Sequence, residues 1–319
     1  MHAAVVSSFD TPPRYAEIET PIPVGEHEVL VTVIAAGLHP RVRSQADGSH
    51  YTSTDELPLV PGIDGVGRTA DGRLVYFILP DTTIGAMAEQ TVVDLRRSIV
   101  LEEGVDPVAL AAAMNPAMSS WIALRQRIDF QRGQSVLVLG ATGSAGQMAV
   151  QIAKHLGAGR VIAASRNAAR LEALPALGAD VTISLDGAEA DVAERLASAA
   201  ADVDVVLDYL WGTPTVSAMT SIVSNRTDPG RPLAWIEIGS VAGPDAVIPS
   251  AALRAARLQI VGSGQGSVSA RDIRSELPAL AKEISSGAYA VTVRAVPLAD
   301  VEQAWNEAPS GDERIVITP

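Results

Sequence analysis

The run Gly133-Gln134-Ser135-Val136-Leu137-Val138-Leu139-Gly140-Ala141-Thr142-Gly143-Ser144-Ala145-Gly146 constrains this chain more than any other stretch. An apolar strand leads straight into three glycines spaced three apart, and an amphipathic helix follows. That order leaves backbone N–H groups unpaired at a helix start and aims them, with the positive end of the helix dipole, at one point. A diphosphate suits such a point, and the arrangement opens a dinucleotide-binding fold. It begins more than 130 residues into the chain, so a whole domain precedes it.

From Ser135 onward, strands and helices alternate. Apolar runs at 135–139, 160–165, 181–185, 203–208, 233–238 and 258–262 are continuous, as strands buried on both faces require. In the first intervening helix Ala145, Met148, Ala149, Ile152 and Leu156 share a face, and Gly157 stands ready to end it. The second begins at Asn167, a good N-cap, with Leu171, Leu174 and Leu177 inward; Pro175 should bend or shorten it. Six such strands with helical crossovers predict an α/β fold with a doubly wound parallel sheet.

Residues 1–113 read differently, as short strands Ala3–Val6, Glu28–Ala36, Gly62–Thr69, Leu74–Ile78 and Met87–Val93 broken by Pro-Gly and Asp-Gly turns. Residues 269–287 read as a helix, Ala290–Val296 as a strand, Leu298–Glu307 as a helix and Glu313–Thr318 as a last strand. This tail holds too little apolar material for its own core, so it should pack back on the first domain. The expected boundaries are a β-rich domain at 1–113, a nucleotide-binding domain at 114–265 and a return segment at 266–319.

The end of the second strand chooses between dinucleotides. An acidic residue about 20 positions past the glycines receives the ribose hydroxyls of NAD. Here Ser165 and Arg166 stand 19 and 20 residues after Gly146. A hydroxyl and a guanidinium suit a 2′-phosphate, which favours NADP(H), with Arg170 one helical turn on. The plainer alternative is that Arg166 is a solvated arginine at a helix start. Tyr209, Gly239, Ser240, Gly262 and Ser263 follow later strands, where a ligand of an open α/β sheet lies.

Composition removes other classes. A net charge of −13, with Lys154 and Lys282 the only lysines, disfavours nucleic acid. The greasiest stretch, residues 108–118, is interrupted by Asn115-Pro116, so no membrane span is expected. The N-terminus lacks the basic start and apolar core of a signal peptide, and the expected compartment is the cytoplasm. There is no cysteine, which excludes disulfides, thiolate-bound zinc and a thiol nucleophile.

The segment from Gly133 to Lys154 resembles the signature of the quinone oxidoreductase branch of the medium-chain dehydrogenase/reductases, departing from it at Thr142 and Ser144. Pro61-Gly62-Ile63-Asp64-Gly65-Val66-Gly67 is similar to that family's Pro-Gly-x-Glu-x-x-Gly, with aspartate for glutamate. The resemblance implies a Rossmann domain, with its six-stranded sheet, inserted into a GroES-like catalytic domain. It also implies a cofactor cleft between the two and dimers formed through the Rossmann sheet edge. At the catalytic zinc positions of metal-containing relatives stand His39, Ile63 and Asn115, one possible ligand out of three, so the resemblance is to zinc-free members.

Such members reduce quinones and conjugated carbonyls with NADPH, so the implied substrate is a small molecule. The charge formed on an enolate oxygen needs only a hydrogen-bond donor. By the same resemblance Ser119 touches the nicotinamide, with Asn115 close by; the bland reading of Ser119 is an ordinary serine in a helix's first turn. His39 would donate to a substrate carbonyl or supply a proton, or else be a packed structural histidine. Tyr51 follows Gly48-Ser49-His50 where the family has Gly-x-Tyr, so either Tyr51 or His50 takes the tyrosine's place, and Tyr51 is the first choice. Arg41 and Val42 replace an apolar–aspartate pair, and Asp64 reads as a structural carboxylate bonding backbone at a turn. An enoyl-thioester reductase and a non-catalytic NADPH-binding sensor or structural protein remain alternatives. A short-chain dehydrogenase does not, because no tyrosine is followed four residues later by lysine.

Overall fold

The computed structural model describes residues 1–307 and 313–319. The chain forms two compact units: Met1–Asn115 together with Ala270–Pro319, and Pro116–Ser269.

In the first unit β1 (His2–Val5) pairs antiparallel with β2 (Arg14–Glu17). β3 (Glu28–Leu38), α1 (Pro40–Ala46), β4 (Asp64–Thr69), β5 (Leu74–Ile78), β6 (Gln90–Asp94) and β7 (Ser98–Val100) follow. β3 alternates as a half-buried strand does, with Val31 and Val33 inside and Thr32 exposed between them. Gly67 lets β4 lie close to β3: a Cβ there would come within 2.5 Å of a Val31 methyl. The expected strands at 62–69 and 87–93 start later, at Asp64 and Gln90, because the segments before them pair elsewhere: the amides of Ala86 and Met87 bond the carbonyls of Gly62 and Pro61, and Ala88 bridges to Ala3.

α2 (Pro107–Ile122) runs through Pro116 and continues as a π-helical stretch, Ala123–Arg127. The expected interruption at Asn115-Pro116 does not occur. Pro116 has no N–H for the carbonyl of Ala112, and the buried Arg314 Nε donates to that oxygen instead, at 3.3 Å. By length and hydropathy, residues Pro107–Arg127 are long and apolar enough to cross a membrane, and 67% of the apolar window is buried, as in a core helix.

The second unit is built from β8 (Ser135–Leu139), α3 (Ser144–His155), β9 (Arg160–Ser165), α4 (Ala168–Leu171), β10 (Val181–Ser184), α5 (Glu189–Ala200), β11 (Val205–Asp208), α6 (Gly212–Ser224), β12 (Leu233–Glu237), α7 (Ser250–Ala255) and β13 (Leu258–Gly262). The six strands are parallel in the order β10-β9-β8-β11-β12-β13. Chain order reverses between β8 and β11, which is where a doubly wound sheet binds its ligand. Leu137, Leu139, Ile162, Val206 and Trp235 form its core. Pro175 shortens the second helix as expected: α4 ends at Leu171, and a 3₁₀ turn takes over at Leu174–Leu177.

The tail adds α8 (Ala270–Ser285), β14 (Thr292–Pro297), α9 (Val301–Asn306) and β15 (Glu313–Thr318). β15 pairs antiparallel with β3 and parallel with β14, so the return segment extends the first unit's sheet. Leu298, Val301, Ala304 and Ile317 join Val31, Val75 and Phe77 in that unit's core.

Candidate active site

The second unit gathers its glycines at the carboxyl ends of the strands. Gly140 turns out of β8 with φ +85°, and Gly143 caps α3 in an extended conformation without a side-chain cap bond. Among the described residues no backbone bond is made by the amides of Ser144, Ala145 or Gly146. A Cβ on Gly146 would lie 2.3 Å from the carbonyl oxygen of Gly140, so only glycine closes the turn this tightly. A concave row of unpaired amides at the start of a twelve-residue helix fits a diphosphate.

Ser165 is buried, and its Oγ lies 2.6 Å from the Oγ1 of Thr142. That contact ties the glycine loop to β9, and a hydroxyl with one such bond keeps capacity for a further partner. Arg166 is exposed beside it. Asn167 caps α4 as expected, its Oδ1 accepting from the amide of Arg170 at 3.1 Å, and Arg170 is half-buried in that first turn.

The ends of β11, β12 and β13 complete this rim. Asp208 is fully buried and accepts from the amides of Leu210 and Trp211, from Thr215 Oγ1 and from Trp235 Nε1. Four donors hold the turn against Gly140, and they sustain a positive φ of 54° at Trp211, a strained value for a bulky residue. Ser119 Oγ donates to the Pro116 carbonyl, so the phenol of Tyr209 donates to Ser119, at 2.9 Å. Burial pushes that phenol up to about 12. Ser119 therefore lies deep in α2, not in a helix's first turn. Gly239 and Ser240 follow β12, the amide of Gly239 bonded to the Asp208 carbonyl. Gly262 ends β13, and the buried Ser263 donates its amide to the Glu237 carbonyl. Glu237 is a residue that sequence reasoning missed. Burial, with Asp208 nearby, raises its carboxyl pKa, and an acid closing the apolar run of β12 was the available signal.

In the first unit the expected residues fall into two networks. His39 is 2% exposed and its Nε2 lies 3.1 Å from Asp64, which also accepts from the Tyr76 hydroxyl at 2.8 Å. Asp64 sits on β4 and bonds side chains, not the backbone at a turn. Arg314 lies close enough to act on Asp64, although burial still lowers its guanidinium to about 10. Burial drives His39 toward the neutral form, more strongly than Asp64 opposes it. With Nε2–H given to Asp64, Nδ1 remains as a buried acceptor without a partner. The expectation that His39 donates to a substrate carbonyl fails on this tautomer.

The second network lies beyond α1. Arg41 Nη2 donates to Asp81 and to Thr52 Oγ1, and Thr52 Oγ1 donates to Asp81. His50 Nδ1 accepts from the amide of Thr52 at 3.2 Å. Tyr51, the first choice from sequence, is 73% exposed, with its ring leaning over His50 at a centroid distance of 4.3 Å. Asn115 is half-buried on α2, one residue before Pro116, and Ile63 is buried. No group of three or more His, Cys, Asp or Glu among the described residues could hold a metal ion.

A doubly wound sheet with an amide-lined glycine loop, inserted into a β-rich unit that the chain's tail completes, defines a class: a two-domain dinucleotide-binding protein. Residues 145–286 match the zinc-binding dehydrogenase family. The chain is 31% identical to a probable NADPH-dependent quinone reductase of Emericella nidulans, with all of both chains covered. It is 30% identical to a 2-methylene-furan-3-one reductase of Solanum lycopersicum over 50% of this chain and 45% of that one. Among solved structures, the quinone oxidoreductase of Thermus thermophilus, determined alone and with NADPH, superposes with a TM-score of 0.80 at 25% identity over the whole of both chains. The chain belongs to the medium-chain dehydrogenase/reductases, in their quinone oxidoreductase-like branch.

Proposed function

We propose that the chain is an NADPH-dependent, zinc-independent reductase that transfers hydride to a quinone or an α,β-unsaturated carbonyl. The observation that carries this reading is the cradle of unpaired amides at Ser144–Gly146, with Arg166 exposed at the tip of β9 where an NAD site has a carboxylate. The amides take the diphosphate and Arg166 takes the 2′-phosphate. Tyr209, Gly239 and Gly262, at the ends of neighbouring strands, leave room for the rest of the dinucleotide. The bound nicotinamide supplies hydride, and the chain must bind, orient and stabilise charge.

The zinc-independent part rests on residue chemistry: there is no cysteine, and the positions that would join His39 as zinc ligands hold Ile63 and Asn115. Without a metal an alkoxide has no strong stabiliser, whereas an enolate oxygen needs only a neutral donor. The relative from Emericella nidulans is named for quinone reduction and that from Solanum lycopersicum for reducing a methylene-furanone, and both names support this choice. The proposed partner is a small molecule, met by a homodimer in the cytoplasm.

The test is turnover of NADPH by the purified chain with 9,10-phenanthrenequinone, methyl vinyl ketone and crotonyl-coenzyme A. Oxidation with the quinone or the enone is the expected result. Turnover confined to the thioester would replace this reading with an enoyl-thioester reductase. Tight NADPH binding without turnover on any of the three would replace it with a sensor.

A further inference from the structure

A strained backbone persists only where its surroundings over-determine it, and such residues gather where ligands bind. Trp211 is the one residue other than glycine with a positive φ among the described residues, at φ 54° and ψ −167°. The four donors on Asp208 impose that conformation, together with the amides of Val241 and Ala242, which bond the carbonyls of Tyr209 and Leu210. They do not explain the side chain. Glycine reaches such angles freely, as the next residue, Gly212, does at φ 65°.

The indole also lacks the duties that hold the other tryptophans of the chain. Trp235 is fully buried and donates to Asp208. Trp121 lies under Arg125 and beside His155, and Trp305 lies under Arg43 and packs on the first unit's core. Trp211 is half-buried, and its side chain makes no hydrogen bond or ring contact among the described residues. Its Nε1–H is not one of the enclosed unpaired atoms. Leu210 packs against the core of the second unit, and Trp211 is not among the residues that do.

Its place in the fold supplies a partner. β8 and β11 are neighbours at the point where chain order reverses, so a ligand crevice opens between their carboxyl ends. The glycine turn lines one side of it. The turn after β11 lines the other: the amide of Tyr209 bonds the Leu139 carbonyl, and a Cβ on Gly140 would lie 3.1 Å from Leu210 Cδ2. Trp211 follows directly, in the same unit as the unpaired amides of Ser144–Gly146. An indole offers a flat apolar face and one donor, which suits the rings and ribose hydroxyls of a nucleotide. We infer that Trp211 forms the wall of this crevice opposite the glycine turn and packs its indole on the bound dinucleotide. The assignment rests on the dinucleotide reading of the glycine turn. It accounts for the retained strain, because glycine would relieve the backbone and leave the ligand without that face.

The experiment is calorimetric titration of wild type, Trp211→Gly and Trp211→Phe, as full-length proteins, with NADPH. Trp211→Gly should bind about tenfold more weakly, the scale of one lost stacking contact. Trp211→Phe, which keeps a ring, should recover at least about threefold of that loss. Were Trp211 only a turn residue, glycine would serve as well and the affinity would hold. A loss under about fivefold in Trp211→Gly, or a smaller recovery in Trp211→Phe, would overturn the assignment alone. If Trp211→Gly fails to fold, Trp211→Leu against Trp211→Phe decides. A Leu variant at least about threefold weaker than the Phe variant supports the assignment, and a smaller difference overturns it. Wild type that gives no heat with NADPH or NADH would overturn the dinucleotide reading, and this assignment with it.

Discussion

Burial drives His39 and His50 below the ordinary histidine pKa of about 6.5. Unfolding then takes up protons as pH falls, so each ring's contribution to stability is full above about pH 6.5 and is lost toward its folded value, which for His50 is about 4. Glu237, raised by burial, works in the opposite sense. With two rings against one carboxyl, Tm should fall between pH 6.5 and 4.5, and His39→Gln should flatten part of that slope. A Tm that stays level or rises over this range, read by calorimetry, would contradict the assignment of both rings as neutral. These partners were invisible in sequence for a physical reason. His39 and Asp64 are 25 positions apart, and which nitrogen donates depends on where a fold places a carboxylate. The place of Arg166 at the tip of β9 was legible because it lies at a fixed distance along the strand from the glycine loop, whereas the burial of Ser165 depends on Thr142 folding over it.

At the level of elements, the parallel sheet was legible because its strands are buried on both faces and read as unbroken apolar runs. The observed strands Ser135–Leu139, Arg160–Ser165 and Leu258–Gly262 coincide with them. The turn that follows β8 depends on the missing Cβ of Gly146. Gly146→Ala should displace the Gly140 carbonyl and lower NADPH affinity at least tenfold in a fluorescence titration, because the amides would no longer converge. An unchanged affinity would show that the phosphates lie elsewhere. The continuity of α2 through Pro116 is hidden in the sequence because its rescue comes from Arg314, 202 residues away from Ala112. Arg314→Met should cost about 3 kcal/mol in urea unfolding, since it strands a buried carbonyl and removes the cation near Asp64. A cost under about 1 kcal/mol would mean that water or the helix itself serves that carbonyl.

At the scale of the whole molecule, the order of strands and the return of the tail explain why one chain builds two units. Residues 270–319 lack a core of their own and supply Leu298, Val301 and Ile317 to the first unit. That much followed from apolar content, whereas the sheet order β14-β15-β3 required the fold itself. Because a dinucleotide binds only the folded chain, NADPH at 100 times its Kd should add about 2.7 kcal/mol to stability. The choice of dinucleotide is read most directly by calorimetric titration of the full-length protein with NADPH and with NADH in one buffer. NADPH should bind at least tenfold more tightly, and Arg166→Ala should abolish most of that difference while leaving the NADH value within about twofold. Equal affinities for the two, or no heat with either, would contradict the account.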